Sequence, residues 1–284
     1  MKRFATAILA FLLVFSLLAG CAGRPADEEP TVPTTQTPEA PAPLDDTPPI
    51  YTMEEAALNN AEISDADISL LQFEASSAAA THKALITTNM GDLEMLLFGV
   101  QAPNAVKSFV IHAQEGYYNG LTFNKILNNF LVEGGDPTGN GGESALLDAA
   151  GKNKPFANEY SLDLWHFRGA VSMSRLPGQT GNGSRFFIVQ APFVDEETLA
   201  EMEKANFPDK VLRQYEAVGG TPGFDWKRTV FGMLTADSLK ALDIIALSTV
   251  DDKGVPKDSV LIENITITEL PGAKNIPAAT EPAK

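Results

Sequence analysis

Two apolar runs, Ala84 to Thr88 and Leu93 to Phe98, flank Asn89-Met90-Gly91-Asp92. Strand-favouring residues on either side of a glycine-containing turn predict a hairpin. Pro103 then stands where a first helical turn tolerates proline, and Ala105, Val106, Phe109, Val110 and Ala113 recur at helical spacing until Gly116. That pattern predicts one amphipathic helix. Leu121 to Ile126, Phe130 to Glu133, Gly169 to Ser172, Arg185 to Gln190, Thr229 to Met233 and Ser259 to Glu269 read as short strands. Asp237 to Ala246 reads as a second helix, with Leu239, Leu242, Ile245 and Leu247 on or near one face. Many short strands and two helices without βαβ alternation predict a mainly β chain, a closed antiparallel β-barrel capped by two α-helices. Glu196 to Glu203 and Asp209 to Ala217 predict two more short helices, interrupted at Pro208, in an insertion over about 194–222.

The ends of the chain follow other rules. Lys2 and Arg3 precede an apolar run from Phe4 to Leu18, which is short for a bilayer span and has the form of an export signal over 1–20. Leu18-Ala19-Gly20-Cys21 resembles a bacterial lipobox, which implies lipidation of Cys21 and anchoring to a membrane. Two or three acyl chains at about 0.8 kcal/mol per buried CH₂ make such an anchor stable. The alternative for the same residues is an ordinary signal peptide cleaved near Ala22. Residues 21–50 are dominated by Pro, Thr, Ala, Asp and Glu, which bury too little surface to offset chain entropy and predict a tether. Extended at about 3.1 Å per residue, it reaches roughly 90 Å. Residues 51–80 read either as weak helices or as an extension packed on the following domain, and 272–284 as a disordered tail.

Composition narrows the partners. The chain has 284 residues, 44% of them hydrophobic, enough to bury a core, and a formal net charge of −16. Nucleic acid needs a basic face that this balance supplies only locally, so no nucleic-acid partner is expected. Oligomeric state is not legible. Cys21 is the only cysteine, so the exported part holds itself together without disulfides in a compartment that tolerates them.

Three other chemistries fit the residues less well. The glycines from Gly134 to Gly142 lack the GK[ST] ending of a phosphate cradle, and Asp136 and Glu143 would repel an anion; tight turns are the simpler use. His82, His112 and His166 have no mutual spacing suited to a metal, so neither metal nor cofactor is expected. No G-x-S-x-G elbow marks a hydrolase, and Ser172 and Ser184 read as barrel residues.

The segment from Phe130 to Ser144, FLVEGGDPTGNGGES, resembles the cyclophilin block FMIQGGDPTGTGxGGES. Around it, Gly116 to Phe123 is similar to GYYDGLTF, Arg168 to Met173 to RGxLSM, Asn182 to Ile188 to NGSQFFI, and Thr229 to Gly232 to TVFG. Five blocks in the family's order across about 82–269 identify residues 81–271 as a cyclophilin-like domain. The resemblance implies the cyclophilin barrel and a cofactor-free peptidyl-prolyl cis-trans isomerase acting on proline-containing or unfolded polypeptides, here those being exported. Rotation about an X-Pro bond faces an amide barrier near 18–20 kcal/mol and breaks no bond. What helps is an apolar pocket for the ring, a donor aimed at the prolyl nitrogen and polar groups that fix the turning carbonyl.

By the resemblance, Phe130, Leu131, Phe187 and Phe224 form the pocket, and Lys125 takes the place of the family's arginine. Lysine keeps that charge without the planar fork. Asn124 replaces a histidine, Glu133 and Arg185 replace two glutamines, and Arg228 replaces the histidine before TVFG. A Glu133 carboxylate flanked by Lys125, Arg185 or Arg228 either rebuilds a charged network in the cleft or leaves solvated charges at its rim. Lys125, Phe130 and Glu133 are the candidate catalytic residues; Leu131, Ser174, Arg175, Arg185, Phe187, Phe224 and Arg228 are candidates for binding substrate. Ser174 to Gly181 departs from the usual ANAGPNTN, and Gly223 to Arg228 from WLDGxH, so Trp226 either walls the pocket or packs on the surface. An isomerase and a module that grips proline segments without turnover both fit these residues.

Overall fold

The computed structural model describes residues 53–73, 79–148 and 150–276. The export signal, the lipobox with Cys21, and the tether lie outside the described residues, as do 74–78 and the end of the expected tail. The described backbone continues past Leu270 in a 3-10 turn, Pro271–Asn275, over the first part of the segment expected as tail.

Eight strands form one antiparallel sheet: β1 His82–Thr88, β2 Leu93–Leu97, β3 Lys125–Leu127, β4 Leu131–Gly134, β5 Ala170–Met173, β6 Phe186–Val189, β7 Val230–Leu234 and β8 Ile262–Glu269. Their spatial order is β3-β4-β6-β5-β7-β2-β1-β8. The hairpin predicted around Gly91 is β1–β2, with His82 opposite Leu97 and Ile86 opposite Leu93. The sheet curls until its two outer strands approach. Thr122 and Leu261, just before β3 and β8, make an isolated bridge, and the Phe123 N–H donates to Val260 O at 2.9 Å. The edges share this seam rather than a ladder, so the architecture is a curled antiparallel sheet, short of the continuous closed barrel expected.

Side-chain alternation assigns the strands to two cores. On one face, Val132, Val171, Met173, Phe186, Ile188 and Phe231 join the main core with α2 (Pro103–Gln114) and α5 (Leu239–Ala246). Phe109 of α2 packs its ring against Tyr118, Phe186 and Phe231 at 5.3–5.5 Å. On the other face, Leu131, Ala170, Phe187, Val189, Val230 and Met233 form a second cluster with Phe224 and Leu164. Strands β4 to β7 are therefore buried on both faces, and so they read as unbroken apolar runs.

The two helices predicted in the insertion are α3 (Glu196–Lys204) and α4 (Asp209–Val218), with Asp195 capping α3 through the Thr198 N–H at 2.8 Å. They do not stand off the surface. Met202, Ala205, Phe207, Val211 and Tyr215 build a third core with Trp165, Phe167 and two residues of the extension, Ala56 and Ile68. The extension supplies α1 (Met53–Asn60) and a 3-10 turn, Asp65–Asp67. Its Gln72 accepts from the Trp165 N–H at 2.8 Å and donates to Trp165 O at 2.9 Å, substituting for a missing strand partner.

Candidate active site

Register alone assembles a site on the second face of the sheet. Lys125 pairs with Glu133 across β3–β4, Glu133 with Phe187 across β4–β6, and Phe187 with Ser172 across β6–β5. Partners in a ladder share a face, and the period of two adds Leu131 beside Glu133 and Arg185 beside Phe187. Ser174 follows Ser172 on the same alternation.

The apolar part is aromatic. Phe224, at the end of the 3-10 turn Pro222–Phe224, stacks on Phe130 with ring centroids 5.6 Å apart and meets Phe187 at 5.1 Å. Leu131, Phe187 and Phe224 are buried and Phe130 is half-buried, so Phe130 is the ring with a face toward solvent. The Arg228 guanidinium lies 5.9 Å from the Phe224 ring centre, within range of a cation–π contact.

The polar part is a buried charged network, which decides between the two readings of these charges. Glu133 binds the Arg185 guanidinium through one carboxylate oxygen and the Ser174 hydroxyl through the other. Arg185 also reaches Asp136 at 3.2 Å, and Asn124 donates to Glu133 at 3.4 Å. Side chains of Arg185 and Glu133 are 5% and 3% exposed, too little for solvated rim charges. Burial pushes the Lys125 pKa below the ordinary lysine value; Glu133 opposes that shift and Arg185 adds to it. Burial likewise acts to raise Asp136, but N–H groups of Gly141 and Thr138, together with Arg185, hold its carboxyl below the usual range.

The glycine loop from Gly134 to Gly142 serves this network structurally. Asp136 accepts from the N–H groups of Thr138, Gly139 and Gly141 at 2.8–2.9 Å, fixing the loop beneath Arg185. Gly135 has φ +88°, and a Cβ there would lie 2.5 Å from Ser184 O. The Ser184 hydroxyl donates to Gly135 O at 2.7 Å and accepts from the Glu143 N–H at 2.8 Å, so Ser184 is a loop clamp.

The sequence candidates thus divide. Lys125, Glu133, Leu131, Phe187 and Arg185 share one face, with Phe130, Phe224, Ser174 and Arg228 brought in from its borders. Ser174 is committed to Glu133, and Arg175 turns elsewhere, toward Asn158 at 3.4 Å and Lys227 O at 3.3 Å, tying two loops together. Trp226 belongs to neither expected place: it packs on Trp165 and Tyr160 at 5.6 and 6.0 Å and donates to Asn60 of α1 at 3.1 Å.

Sequence reasoning missed His166 and Asp225. His166 lies under Phe187 with rings nearly parallel at 6.1 Å; its Nδ1 is 2.7 Å from Asp225 and its Nε2 3.0 Å from the Ser172 hydroxyl. Ser172 is fully buried and donates to Thr229 O at 2.9 Å, so this Ser-His-Asp line is internal bracing and has no nucleophile open to substrate. The available signal was a histidine amid Leu164, Trp165 and Phe167 in a run otherwise destined for the core. Among the described residues no group of three His, Cys, Asp or Glu comes together as a metal site.

Comparison with known proteins agrees with this geometry. The family described as cyclophilin type peptidyl-prolyl cis-trans isomerase/CLD matches residues 83–267. Putative peptidyl-prolyl cis-trans isomerases of Staphylococcus saprophyticus and Staphylococcus aureus are 40% identical over 189 residues, which is 66% of this chain and 92% of theirs. A cyclophilin type peptidyl-prolyl cis-trans isomerase of Cryptosporidium parvum superposes with a TM-score of 0.50 at 27% identity, covering 67% of this chain and 99% of its own. The same protein solved in the presence of the dipeptide Ala-Pro gives 0.50 at 28% identity, covering 66% of this chain and 99% of its own.

Proposed function

This chain belongs to the cyclophilin-type peptidyl-prolyl cis-trans isomerase family, and on that premise we propose that it catalyses cis-trans rotation of X-Pro bonds in proline-containing polypeptides. The observation that carries the reading is the single face holding Phe130, Leu131, Phe187 and Phe224 beside the Lys125–Glu133 rung. The prolyl ring rests on the Phe130 side of the aromatic cluster. A Lys125 ammonium, already stripped of much of its water by burial, donates toward the reacting amide. A donor that stabilises the pyramidal nitrogen acts only when amide resonance is broken, so it lowers the barrier rather than the ground state. Glu133 and Arg185 neutralise each other and fix the polar wall.

A second reading, a module that grips proline segments without turnover, draws support from the commitment of Arg185 to Glu133 and Asp136, which ties up the one guanidinium fork in the charged network. Initial rates of X-Pro isomerisation with the full-length chain separate the two. The catalytic reading predicts acceleration that Phe130→Ala and Lys125→Ala each reduce by about 10²-fold, the usual cost of a lost transition-state contact. Tight peptide binding with no acceleration supports the module instead.

The proposed setting is the extracytoplasmic face of a bacterial membrane, where the protein assists folding of exported chains while anchored through lipidated Cys21. The lipobox-like Leu18-Ala19-Gly20-Cys21 and the proline-rich tether support it. Release of a Cys21→Ala chain from the membrane fraction is the expected result; retention would count against the anchor.

A further inference from the structure

Three adjacent residues leave the 3-10 turn Pro222–Phe224 in three directions. Phe224 enters the aromatic pocket between Phe130 and Phe187. Asp225 points the opposite way, into the third core, where its side chain is 3% exposed. One Asp225 oxygen lies 2.7 Å from His166 Nδ1 and also accepts from the His166 N–H at 3.0 Å; the other accepts from the Tyr215 hydroxyl of α4 at 2.6 Å. Trp226, held at φ +62°, reaches the extension through Asn60, whose own amide donates to Ala205 O of the insertion at 3.0 Å.

We infer that the N-terminal extension and the α3–α4 insertion are parts of the proline site, acting through Asp225 and Trp226 as positioning residues that set the Phe224 ring. The inference rests on the proposed prolyl pocket, since it assigns a task to the wall of that pocket.

Phe130, Phe187 and His166 pack against the Phe224 ring, and the residues that follow it fix the loop that presents it. A residue with positive φ that is not glycine carries backbone strain, which persists only where its surroundings over-determine it. At Trp226 the surroundings are Trp165, Tyr160 and Asn60, contributed by the extension and the loop preceding β5. Asp225 couples two pocket groups at once: Phe224 is its chain neighbour, and His166, whose ring it orients, supports Phe187 from below. A buried carboxylate bound by an imidazole, a phenol and a backbone N–H has one low-energy position. Moving α4 or α1 therefore moves the loop that presents Phe224.

Tyr215→Phe removes only the hydroxyl given to Asp225 and keeps its ring, while Trp226→Phe removes the N–H given to Asn60 together with the second ring of the indole. Both are measured in the full-length chain. An Ala-Pro-containing peptide is expected to show KM and Kd raised about tenfold, the worth of one hydrogen bond to a charged or buried group, with kcat per folded molecule unchanged. A loss of stability alone would lower the active fraction and leave KM and Kd where they were. The ring-proton NMR shifts of Phe224 and Phe130 in the unliganded chain supply an arm independent of turnover, and both variants are expected to move them. Unchanged Phe224 shifts with unchanged Kd in two folded variants overturn the inference. A wild-type chain that neither binds nor isomerises the peptide, with Phe224 shifts still moved by both variants, overturns the proposed function and leaves the bracing of Phe224 standing.

Discussion

Glu133 and Arg185 occupy two positions where the cyclophilin resemblance expects glutamines, and the structure joins them in one buried pair. Glu133 alone would bury a carboxylate without the guanidinium that binds it, whereas Arg185 alone would still meet Asp136; together the two close the pair. Arg185→Gln is therefore expected to destabilise the fold by about 3–5 kcal/mol, the cost of leaving Glu133 without its cation. The double variant Glu133→Gln with Arg185→Gln should recover most of that loss in chemical denaturation, and additive losses would show that the pair is not coupled. Lys125 carries a second prediction. Its folded pKa is depressed by burial, so between the folded value and the ordinary one the unfolded chain binds the extra proton. The stability associated with neutral Lys125 is thus present above the ordinary lysine value and lost as pH falls through the folded value. The proposed catalytic role needs the charged form and so runs the other way: kcat/KM should fall on an alkaline limb that begins below the range of free lysine. Lys125→Arg should flatten this limb because guanidinium does not titrate there. An identical limb in both proteins would assign it to another group. The identities of Lys125, Glu133 and Arg185 were legible in the sequence because they interrupt conspicuous motifs, whereas their pairing was left among alternatives. Which cation meets which carboxylate depends on register, and register is set by the whole sheet.

At the scale of elements, local pattern predicted what local forces determine. The β1–β2 hairpin, α2, α3, α4 and α5 all stand where turn residues and periodicity placed them. Strand ends were less legible: Leu121 to Ile126 was read as one strand, yet the ladder of β3 begins at Lys125, because Thr122 and Phe123 turn toward Leu261 and Val260 across the seam. A strand's partner decides where it ends, and that partner lies about 140 residues away. The start of α2 shows the same limit. Ala102 offers no side-chain cap; instead Glu159, from a distant loop, accepts from the Asn104 and Ala105 N–H groups at 3.0 and 2.9 Å. Burial keeps the Glu159 pKa raised despite those bonds. Glu159→Ala is expected to cost about 1–2 kcal/mol in the unfolding free energy, as loss of an N-cap does. No change in that free energy would mean that water caps α2 equally well.

For the molecule as a whole, three cores divide the labour. The first is the inside of the curled sheet, the second carries the aromatic face, and the third welds the extension and insertion to the loop that holds Phe224. Most residues of the first two lie in the five motif blocks and the apolar strand runs that were legible, but their division into two cores was not, because strands buried on both faces show no alternation. The third was not legible, because its members, Ala56, Ile68, Trp165, Met202 and Tyr215, come from segments far apart in the sequence and meet only in the fold. The pairing of His166 with Asp225 was missed for the same reason. The central claim, that this face turns X-Pro bonds over rather than merely gripping them, is tested most directly by NMR exchange spectroscopy on an Ala-Pro peptide with a substoichiometric amount of the full-length chain. The account predicts exchange cross-peaks between cis and trans resonances that weaken with Lys125→Ala; peptide shifts that report binding without any such cross-peaks would contradict it.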